Sequence, residues 1–336
     1  MISLTNEPDT STGEEHIIAE FFAPLARYWP GALGLRDDCA TITPAPGQDI
    51  VVKTDPIRAG VHFFADDAPE DIAWKALAVN VSDLASKAAR PLAYTLAVSF
   101  PKAPDRTWLH SFTKGLSTAQ DAFGCVLIGG DTDHADGPIS IAVTIFGETP
   151  TGGMVQRVTP SSGDAIYVSG TLGDSALGLK IRSGHLRDSI SDEDREYLIA
   201  RYLRPQPRLG LRAALRAYAS SAMDISDGLG KDLGRMCRAS SLGALVDQSK
   251  LPMSAAFRAV APGAPEDRRP LLSAGDDYEV LCTVKPEHGD AFRALAAAGN
   301  IPVTQVGHVT AGGGVRLVDE AGNGHQWART GYDHFG

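Results

Sequence analysis

Aspartate recurs in five short clusters, most of which end or follow an apolar, strand-like run of this chain. The clusters are Arg36-Asp37-Asp38, Lys53-Thr54-Asp55, Gly129-Gly130-Asp131-Thr132-Asp133, Asp224-Ile225-Ser226-Asp227-Gly228 and Gly275-Asp276-Asp277-Tyr278-Glu279. Gathered carboxylates repel one another, by about 4 kcal/mol for two charges ~4 Å apart at an effective dielectric constant of ~20. Divalent cations offset such repulsion, and Mg²⁺ prefers hard oxygen ligands of this kind. The alternative interpretation is that each Asp only forms a turn or caps a helix.

A helix predicted over 69–89 adds a second polar group. Asn80, Asp83 and Lys87 are spaced so that they share one helix face. The sequence around them, 76–84, is apolar on nearly every side, and a buried Asn or Asp needs a partner. A metal, or a ligand that a metal holds, would supply that partner. A solvated stripe with an Asp–Lys pair is the alternative.

The sequence 128–132 breaks an apolar run with two glycines followed by an acid. Gly129 and Gly130 would let the backbone approach a phosphate, and successive N–H groups can form an anion-binding nest. Asp131 would then hold a metal on that phosphate. A tight turn is the alternative.

The elements that must position these residues alternate along the chain. In the first half we predict helices at 14–28, 69–89 and 105–123, the first bent or split by Pro24, and strands at 50–53, 92–100, 126–128 and 139–146. In the second half we predict strands at 165–169, 222–225, 244–246, 278–284, 302–307 and 315–318, with helices between them. The pattern indicates an α+β fold with mixed sheets in two domains, 13–149 and 150–336, after a frayed tail at 1–12.

Composition narrows the possible functions. The 336 residues carry a net charge of −10, which argues against nucleic acid as a partner because phosphates attract Lys/Arg-rich surfaces. Small phosphorylated ligands stay possible if divalent cations bridge the negative charges. No apolar stretch is long enough to cross a membrane, and the four cysteines are scattered without a CxxC pair. These features predict a cytoplasmic protein with neither a zinc site nor a disulfide framework.

The common nucleotide-binding sequence motifs are missing from the sequence. There is no G-x-x-x-x-G-K-S/T, no G-x-G-x-x-G after the first strand, no protein-kinase motif set and no G-x-S-x-G elbow. A nucleotide would therefore have to bind outside these motifs.

A series of ordered motifs carries a family resemblance over about 13–335. The motifs are Leu35-Arg36-Asp37-Asp38-Cys39-Ala40, Thr54-Asp55, Gly60-Val61-His62-Phe63, Lys75-Ala76-Leu77-Ala78-Val79-Asn80-Val81-Ser82-Asp83-Leu84-Ala85, Ile128-Gly129-Gly130-Asp131-Thr132, Asp224-Ile225-Ser226-Asp227-Gly228-Leu229, Asp277-Tyr278-Glu279 and Gly331-Tyr332-Asp333-His334-Phe335. Together they resemble thiamine-monophosphate kinase, within the ATP-binding superfamily of aminoimidazole ribonucleotide synthetase and selenophosphate synthetase. The resemblance implies a two-domain PurM-like architecture, in which the N-terminal mixed sheet pairs into the barrel of a homodimer beside a C-terminal α/β domain.

Site roles follow from the resemblance by position. The implied magnesium ligands are Asp38, Thr54, Asp55, Asp83, Asp131, Asp224 and Asp227, of which Asp131, Asp83 and Asp55 are the implied catalytic residues. The implied ATP contacts are Gly130, Asp131, Arg157 and Ser226, and the implied contacts to thiamine monophosphate are His62, Asp276 and Tyr332.

Two positions depart from the family pattern. Lys53 stands where relatives usually have Ser or Thr, and because an ammonium cannot bind Mg²⁺, one metal site is either missing or replaced by the lysine charge. Asp276 stands where relatives usually have Glu, so the contact to thiamine would come from a shorter side chain.

The implied reaction is ATP-dependent phosphorylation of thiamine monophosphate to thiamine diphosphate, by direct in-line transfer assisted by several Mg²⁺ ions. Two alternatives stay open at this point. One is another synthetase of the superfamily, of the selenophosphate or purine-pathway type. The other is a non-catalytic protein that binds magnesium and nucleotide.

Overall fold

The computed structural model describes residues 14–186, 190–261, 263, 270–319 and 324–327, and its first segment changes helical winding twice. The helix α1 (Glu14–Ile17) continues as a π-helical turn, Ile18–Phe22, and then as a 3₁₀ turn, Ala23–Ala26. The predicted interruption at Pro24 is confirmed, because proline stands at the start of the 3₁₀ turn and lacks the N–H that an α-helix would use.

Four strands and two long helices form the rest of the first half. They are β1 (Gln48–Arg58), α2 (Pro69–Ser86), β2 (Arg90–Phe100), α3 (Arg106–Phe123), β3 (Val126–His134) and β4 (Ser140–Pro150). The strands form a mixed sheet in the order β1-β4-β2-β3, in which β2 and β3 run parallel and the other neighbours antiparallel. Leu77, Leu84 and Phe112 belong to the core that joins α2 and α3 to this sheet.

The helix α2 is buried almost all round because it lies between the two halves of the chain. Pro69 begins it at a position that needs no N–H donor, and Glu70 and Asp71 place negative charge in its first turn. Its apolar side chains pack against the first sheet, whereas Lys75 and Ser82 bond to residues of the second half. Polar side chains on α2 are thereby carried into the cleft between the domains.

The second half builds a mixed sheet of seven strands in the order β11-β10-β7-β9-β5-β8-β6. Its elements are β5 (Ala165–Ser169), α4 (Asp174–Arg182), α5 (Asp192–Leu203), α6 (Arg212–Tyr218), β6 (Ala219–Ile225), α7 (Leu229–Ser240), β7 (Leu242–Asp247), α8 (Ala255–Val260), β8 (Glu279–Val284), α9 (Gly289–Ala298), β9 (Val303–Ala311), β10 (Gly314–Val318) and β11 (Gly324–Gln326). The predicted α+β class with mixed sheets is confirmed. Among the helices described, none is both long and apolar enough to span a membrane.

Three strands of the first sheet, β1, β3 and β4, run past their predicted ends, and the first two carry predicted site aspartates. β1 does not turn at Asp55 but continues to Arg58, and Pro56 is tolerated because β1 is an edge strand. β3 continues through Gly130 and Asp131 instead of breaking at the glycines. The expectation that these two aspartates stand at strand ends is therefore wrong, and so is the alternative that they form turns, since both lie within strands.

Candidate active site

A cavity of about 890 Å³ lies at the edge of the first sheet, beside β3. Ile18 and Phe22 of the N-terminal helical segment contribute an apolar wall, and residues 127–132 of β3 form the other side. Asp38 and Asp131 line the same cavity, and both are exposed. An apolar pocket with a few convergent polar groups is the usual form of a small-molecule site.

The close approach of β2 to β3 explains Gly130 without any ligand. A Cβ at this position would lie 1.9 Å from the backbone oxygen of Leu96, which no side chain can tolerate. A Cβ at Gly129 would meet only an ordinary contact, 3.8 Å from a methyl carbon of Thr95. The second glycine is thus required by strand packing, and its contact with ATP stays a prediction.

The register of the first sheet separates Asp131 from Asp55. Asp131 pairs with Ala97 on β2, Ala97 pairs with Ala142 on β4, and Ala142 pairs with Pro56 on β1. Paired residues share a face of the sheet and consecutive residues alternate between faces. The side chains of Asp131 and Asp55 therefore leave the sheet on opposite faces, from strands about 14 Å apart at three strand spacings.

Lys53 joins Asp55 and Asp83 on the helix-covered face. Its Nζ lies 3.0 Å from Oδ2 of each carboxylate. Burial alone would lower the pKa of Lys53, but Asp83 and Asp55 raise it to about 12. Burial raises the pKa of Asp83, and the nearby Lys53 ammonium opposes this shift by favouring the ionised carboxylate.

Asp224 reaches α2 from the second sheet. Its carboxylate is buried and accepts a hydrogen bond from the hydroxyl of Ser82 at 2.8 Å. Burial, and then the charge of Asp83, raise the pKa of Asp224 well above its usual range. Lys87 donates to a backbone carbonyl of β6, and burial lowers its pKa to about 8, with a further lowering from exposed Arg157. The structure therefore brings charged groups of both domains to the C-terminal half of α2.

Asp232, in the first turn of α7, holds the turn that follows β6. Its Oδ2 accepts the backbone N–H groups of Ser226 at 3.1 Å and Asp227 at 2.9 Å. The Asp227 carboxylate pairs with Lys231 at 3.2 Å and Arg235 at 2.5 Å. Burial raises the pKa of Asp232 to about 6 although these N–H groups and Arg235 oppose the shift.

Lys75 connects the two halves where the resemblance places thiamine monophosphate. Its side chain is 2% exposed, and Nζ donates to the Asp276 carboxylate and to the His62 carbonyl, each at 2.9 Å. The ammonium also lies 3.8 Å from the ring centre of Tyr202, whose hydroxyl donates to the same carbonyl at 3.3 Å. The imidazole Nδ1 of His62 accepts the N–H of Arg58 at 3.0 Å. Two of the predicted thiamine contacts, His62 and Asp276, are thus brought together around a buried lysine.

The turn that carries Asp276 has an unusual backbone. Asp276 has φ 63° and Tyr278 has φ 50°, a region that residues with side chains rarely occupy. Their N–H groups donate to the carbonyls of Ser226 and Ile225, each at 2.8 Å, and hold the turn against β6. The Tyr278 hydroxyl donates to Asp276 Oδ1 at 3.3 Å. Strain of this kind persists where the surroundings over-determine the conformation, often at functional sites.

The carboxylates predicted as one magnesium platform form separate groups. Within the described ranges, no three Asp, Glu, His or Cys side chains converge as a metal site requires. Thr54 projects to the face opposite Asp55, where its hydroxyl hydrogen-bonds to that of Thr144 at 2.6 Å. Tyr332 lies outside the described residues.

The carboxylates that line the cavity suit Mg²⁺, whereas those in contact with Lys53 do not suit a bridging metal. Asp38 and Asp131 offer oxygen ligands to the cavity, which suits a hard cation. Asp55 and Asp83 do not suit a bridging metal, because the ammonium of Lys53 already lies between them. The metal-ligand roles of Thr54, Asp55, Asp83, Asp224 and Asp227 stay predictions.

Comparison with known proteins identifies the family. The family model for the N-terminal domain of AIR synthase related protein matches residues 36–149. The family model for the C-terminal domain of AIR synthase related protein matches residues 161–320. The thiamine-monophosphate kinase of Salmonella typhimurium is 40% identical over 327 residues, covering 96% of this chain and 98% of that protein. The chain belongs to the thiamine-monophosphate kinase family. The Caulobacter vibrioides thiamine-monophosphate kinase is also 40% identical, over 301 residues that cover 89% of this chain and 84% of that protein.

Solved structures of the thiamine-monophosphate kinase family share the fold. The crystal structure of thiamine-monophosphate kinase from Stenotrophomonas maltophilia K279a is 37% identical, with a TM-score of 0.80 over 92% of this chain and 96% of that one. A structure described as AaThiL complexed with AMPPCP and TMP is 29% identical, with a TM-score of 0.76 over 87% and 89% of the two chains. The two-domain PurM-like architecture is confirmed. Escherichia coli HypE, a hydrogenase maturation protein, has a TM-score of 0.76 at 19% identity and shows the fold alone.

Three residues of this candidate site, Lys75, Tyr202 and Asp232, have no separate role among the sequence-based predictions. Lys75 carried a usable signal, because a lysine within the apolar part of a buried helix needs a partner. Tyr202 and Asp232 carried none, since they stand in amphipathic helices whose orientation only the tertiary structure reveals.

Proposed function

We propose that this protein transfers a phosphoryl group from ATP to thiamine monophosphate and so forms thiamine diphosphate, the final step of thiamine diphosphate synthesis. The main support is the 40% identity to the Salmonella typhimurium thiamine-monophosphate kinase across 98% of that protein. The similarity to AaThiL complexed with AMPPCP and TMP supports a nucleotide and a thiamine phosphate as the two ligands.

The nucleotide site proposed here is the cavity beside β3. Its apolar wall at Ile18 and Phe22 suits a base, and Asp38 and Asp131 suit the phosphate end together with a cation. We infer ATP contacts at Gly130, Asp131, Arg157 and Ser226. The exposed side chain of Arg157, close enough to affect the pKa of Lys87, supports a place for its guanidinium at the cleft.

The thiamine site proposed here is the cleft around Lys75. Thiamine monophosphate combines a cationic ring with an anionic phosphate, and this cleft offers groups for both. The Asp276 carboxylate, 30% exposed, suits a cation, while the Lys75 ammonium, which contacts Asp276 and the ring of Tyr202, offsets negative charge. We infer substrate contacts at His62, Asp276 and Tyr332.

The chemistry needs alignment more than proton transfer. The nucleophile is a phosphate oxygen whose second pKa, ~6, leaves it mostly ionised at neutral pH, so no general base is required. Two polyanions must instead be held in line against their mutual repulsion. We infer that Asp131, on one face of the first sheet, and Asp83 and Asp55, on the other, are the catalytic carboxylates. Bound Mg²⁺ would offset the phosphate charges, with ligands at Asp38 and Asp131 and others from Asp224 and Asp227.

The arrangement proposed here also includes a homodimer in the cytoplasm. The face of the first sheet opposite α2 exposes Val52 by 55%, together with Thr54 and Pro56. An apolar sheet face of this kind suits pairing with a second copy.

The test is a product assay combined with isotope exchange. Purified protein with ATP and Mg²⁺ is offered thiamine monophosphate, thiamine, selenide or a purine-pathway amidine substrate in separate reactions. Thiamine diphosphate is expected from the first reaction alone. In the absence of acceptor, labelled ADP should not exchange into ATP, because direct transfer forms no phosphoenzyme. Exchange at the rate of turnover would refute direct transfer.

A further inference from the structure

We propose that the ammonium of Lys53 is a built-in cation of the active site, which holds Asp55 and Asp83 together in place of a bridging divalent ion. The inference rests on the proposed function only in assigning these carboxylates to phosphoryl transfer. It concerns how this part of the site is assembled before a metal or a substrate binds.

The geometry is that of a shared cation. Strand β1 places Lys53 and Asp55 on one face because they are two residues apart, and α2 places Asp83 against the same face. The ammonium lies 3.0 Å from one oxygen of each carboxylate, and 34% of the Lys53 side chain is exposed. One cation thus joins two separate elements of the fold.

Hydrogen bonds from Asn80 fix the backbone of Asp55 relative to the helix α2. Oδ1 of Asn80 accepts the N–H of Asp55 at 2.8 Å, and Nδ2 donates to the Asp55 carbonyl at 3.3 Å. Asn80 is one turn before Asp83 on α2 and is completely buried. The backbone carrying Asp55 is therefore clamped to the helix carrying Asp83. This distinguishes the contact from an exposed ion pair between mobile side chains, which contributes little.

Among the described residues, Lys53 is the cation whose ammonium contacts both Asp55 and Asp83. Lys87, the other lysine near Asp83, directs its Nζ to the Ala222 carbonyl at 2.5 Å. Asp224, beyond Asp83, is held by a neutral donor, the Ser82 hydroxyl at 2.8 Å. Without the Lys53 ammonium, Asp55 and Asp83 would lose the cation that contacts both of them, and Lys87 would act on Asp83 only through its more distant charge.

Two consequences follow for metal binding. A covalently attached cation cannot be removed by a chelator, so the Asp55–Asp83 contact should persist in metal-free protein. A divalent ion should enter between these carboxylates only when the ammonium is removed, because two oxygens that now accept from Lys53 would then be free to bind it.

The test counts Mn²⁺ bound to the full-length protein, by electron paramagnetic resonance, without nucleotide or thiamine phosphate. Lys53→Ser is compared with wild type and with Lys114→Met, which removes a surface ion pair to Glu70 of similar length, 2.9 Å. We expect one additional Mn²⁺ per chain in Lys53→Ser and no change in Lys114→Met. The rise in Tm on adding Mg²⁺ to chelator-treated protein should also be larger for Lys53→Ser than for wild type.

An unchanged Mn²⁺ count together with an unchanged Mg²⁺-dependent rise in Tm would overturn the proposal. Lys53→Arg keeps the charge and must bind the wild-type number of ions. An additional ion in Lys53→Arg would equally overturn the proposal. If Lys53→Ser does not fold with or without Mg²⁺, the ion count of Lys53→Arg decides between the two outcomes. The Mn²⁺ count is made without substrate, so a negative result would overturn the proposal about Lys53 without bearing on the proposed kinase activity.

Discussion

Replacing Lys75 by methionine tests whether the cleft between the domains is the thiamine side of the site. Methionine keeps much of the length and the apolar stem of lysine but removes the charge. The change leaves the Asp276 carboxylate without the Lys75 ammonium and removes one hydrogen-bond donor from the His62 carbonyl. It also removes the ammonium from the face of Tyr202. The predicted result is a less stable protein that binds thiamine monophosphate more weakly.

The magnitude follows from the burial of the two partners. Breaking a fully buried ion pair costs about 3–5 kcal/mol. The Lys75 side chain is 2% exposed but that of Asp276 is 30% exposed, so solvent lessens the cost. We therefore expect a loss of about 2 kcal/mol in the free energy of unfolding, which lowers Tm by roughly 3 °C in a protein of this size. A somewhat smaller loss in the substrate complex, about 1.4 kcal/mol, would raise KM for thiamine monophosphate about tenfold.

The assay measures initial rates with each substrate varied in turn, beside thermal unfolding, with Lys114→Met as the control for loss of a lysine. KM for thiamine monophosphate should rise about tenfold while KM for ATP stays within about twofold of wild type. A rise confined to ATP would show that Lys75 supports the nucleotide side instead. Unchanged stability and unchanged KM would refute the view that the Lys75–Asp276 contact organises the cleft.

Three further predictions concern single side chains. Asp131→Asn and Asp83→Asn should each lower kcat by about 100-fold or more, with far-ultraviolet circular dichroism unchanged, because each removes a carboxylate that holds a cation of the proposed site, Mg²⁺ at Asp131 and the Lys53 ammonium at Asp83. Near-normal turnover at saturating Mg²⁺ would contradict the assignment. His62→Ala should mainly raise KM for thiamine monophosphate, and an effect on ATP alone would move His62 to the other substrate. Cys39, exposed at the cavity, should be alkylated first in native protein, since burial raises the pKa of Cys125 to about 12 and so leaves it little thiolate at pH 8. A non-hydrolysable ATP analogue with Mg²⁺ should slow alkylation of Cys39, and equal rates with and without it would argue against nucleotide in that cavity.

Local signals in the sequence were sufficient for most elements of the fold. Asp105 accepts the N–H of Thr107 at the start of α3, and Gly124, with φ 70°, ends it, as expected for an N-cap acid and a glycine in the left-handed region. The ends of β1 and β3 could not be read in the same way. Pro56 and Gly130 usually interrupt a strand, and only the sheet order, with β1 and β3 at its edges, explains why both strands continue.

The site was predictable in its residue types but not in its grouping. Sequence order cannot reveal that Asp131 and Asp55 leave the sheet on opposite faces, because the face depends on the pairing of four strands. Nor could it show that Lys53 contacts both Asp55 and Asp83, since that requires α2 to lie against β1 in one register. Long-range packing decided both features.

The formation of thiamine diphosphate tests the central claim most directly. Purified protein is incubated with ATP, Mg²⁺ and thiamine monophosphate, and ADP and thiamine diphosphate are quantified together by phosphorus nuclear magnetic resonance. The two products should accumulate in equal amounts, and omission of thiamine monophosphate or addition of a chelator should stop both. Hydrolysis of ATP to ADP without thiamine diphosphate, or no reaction with any thiamine phosphate, would contradict the proposed function.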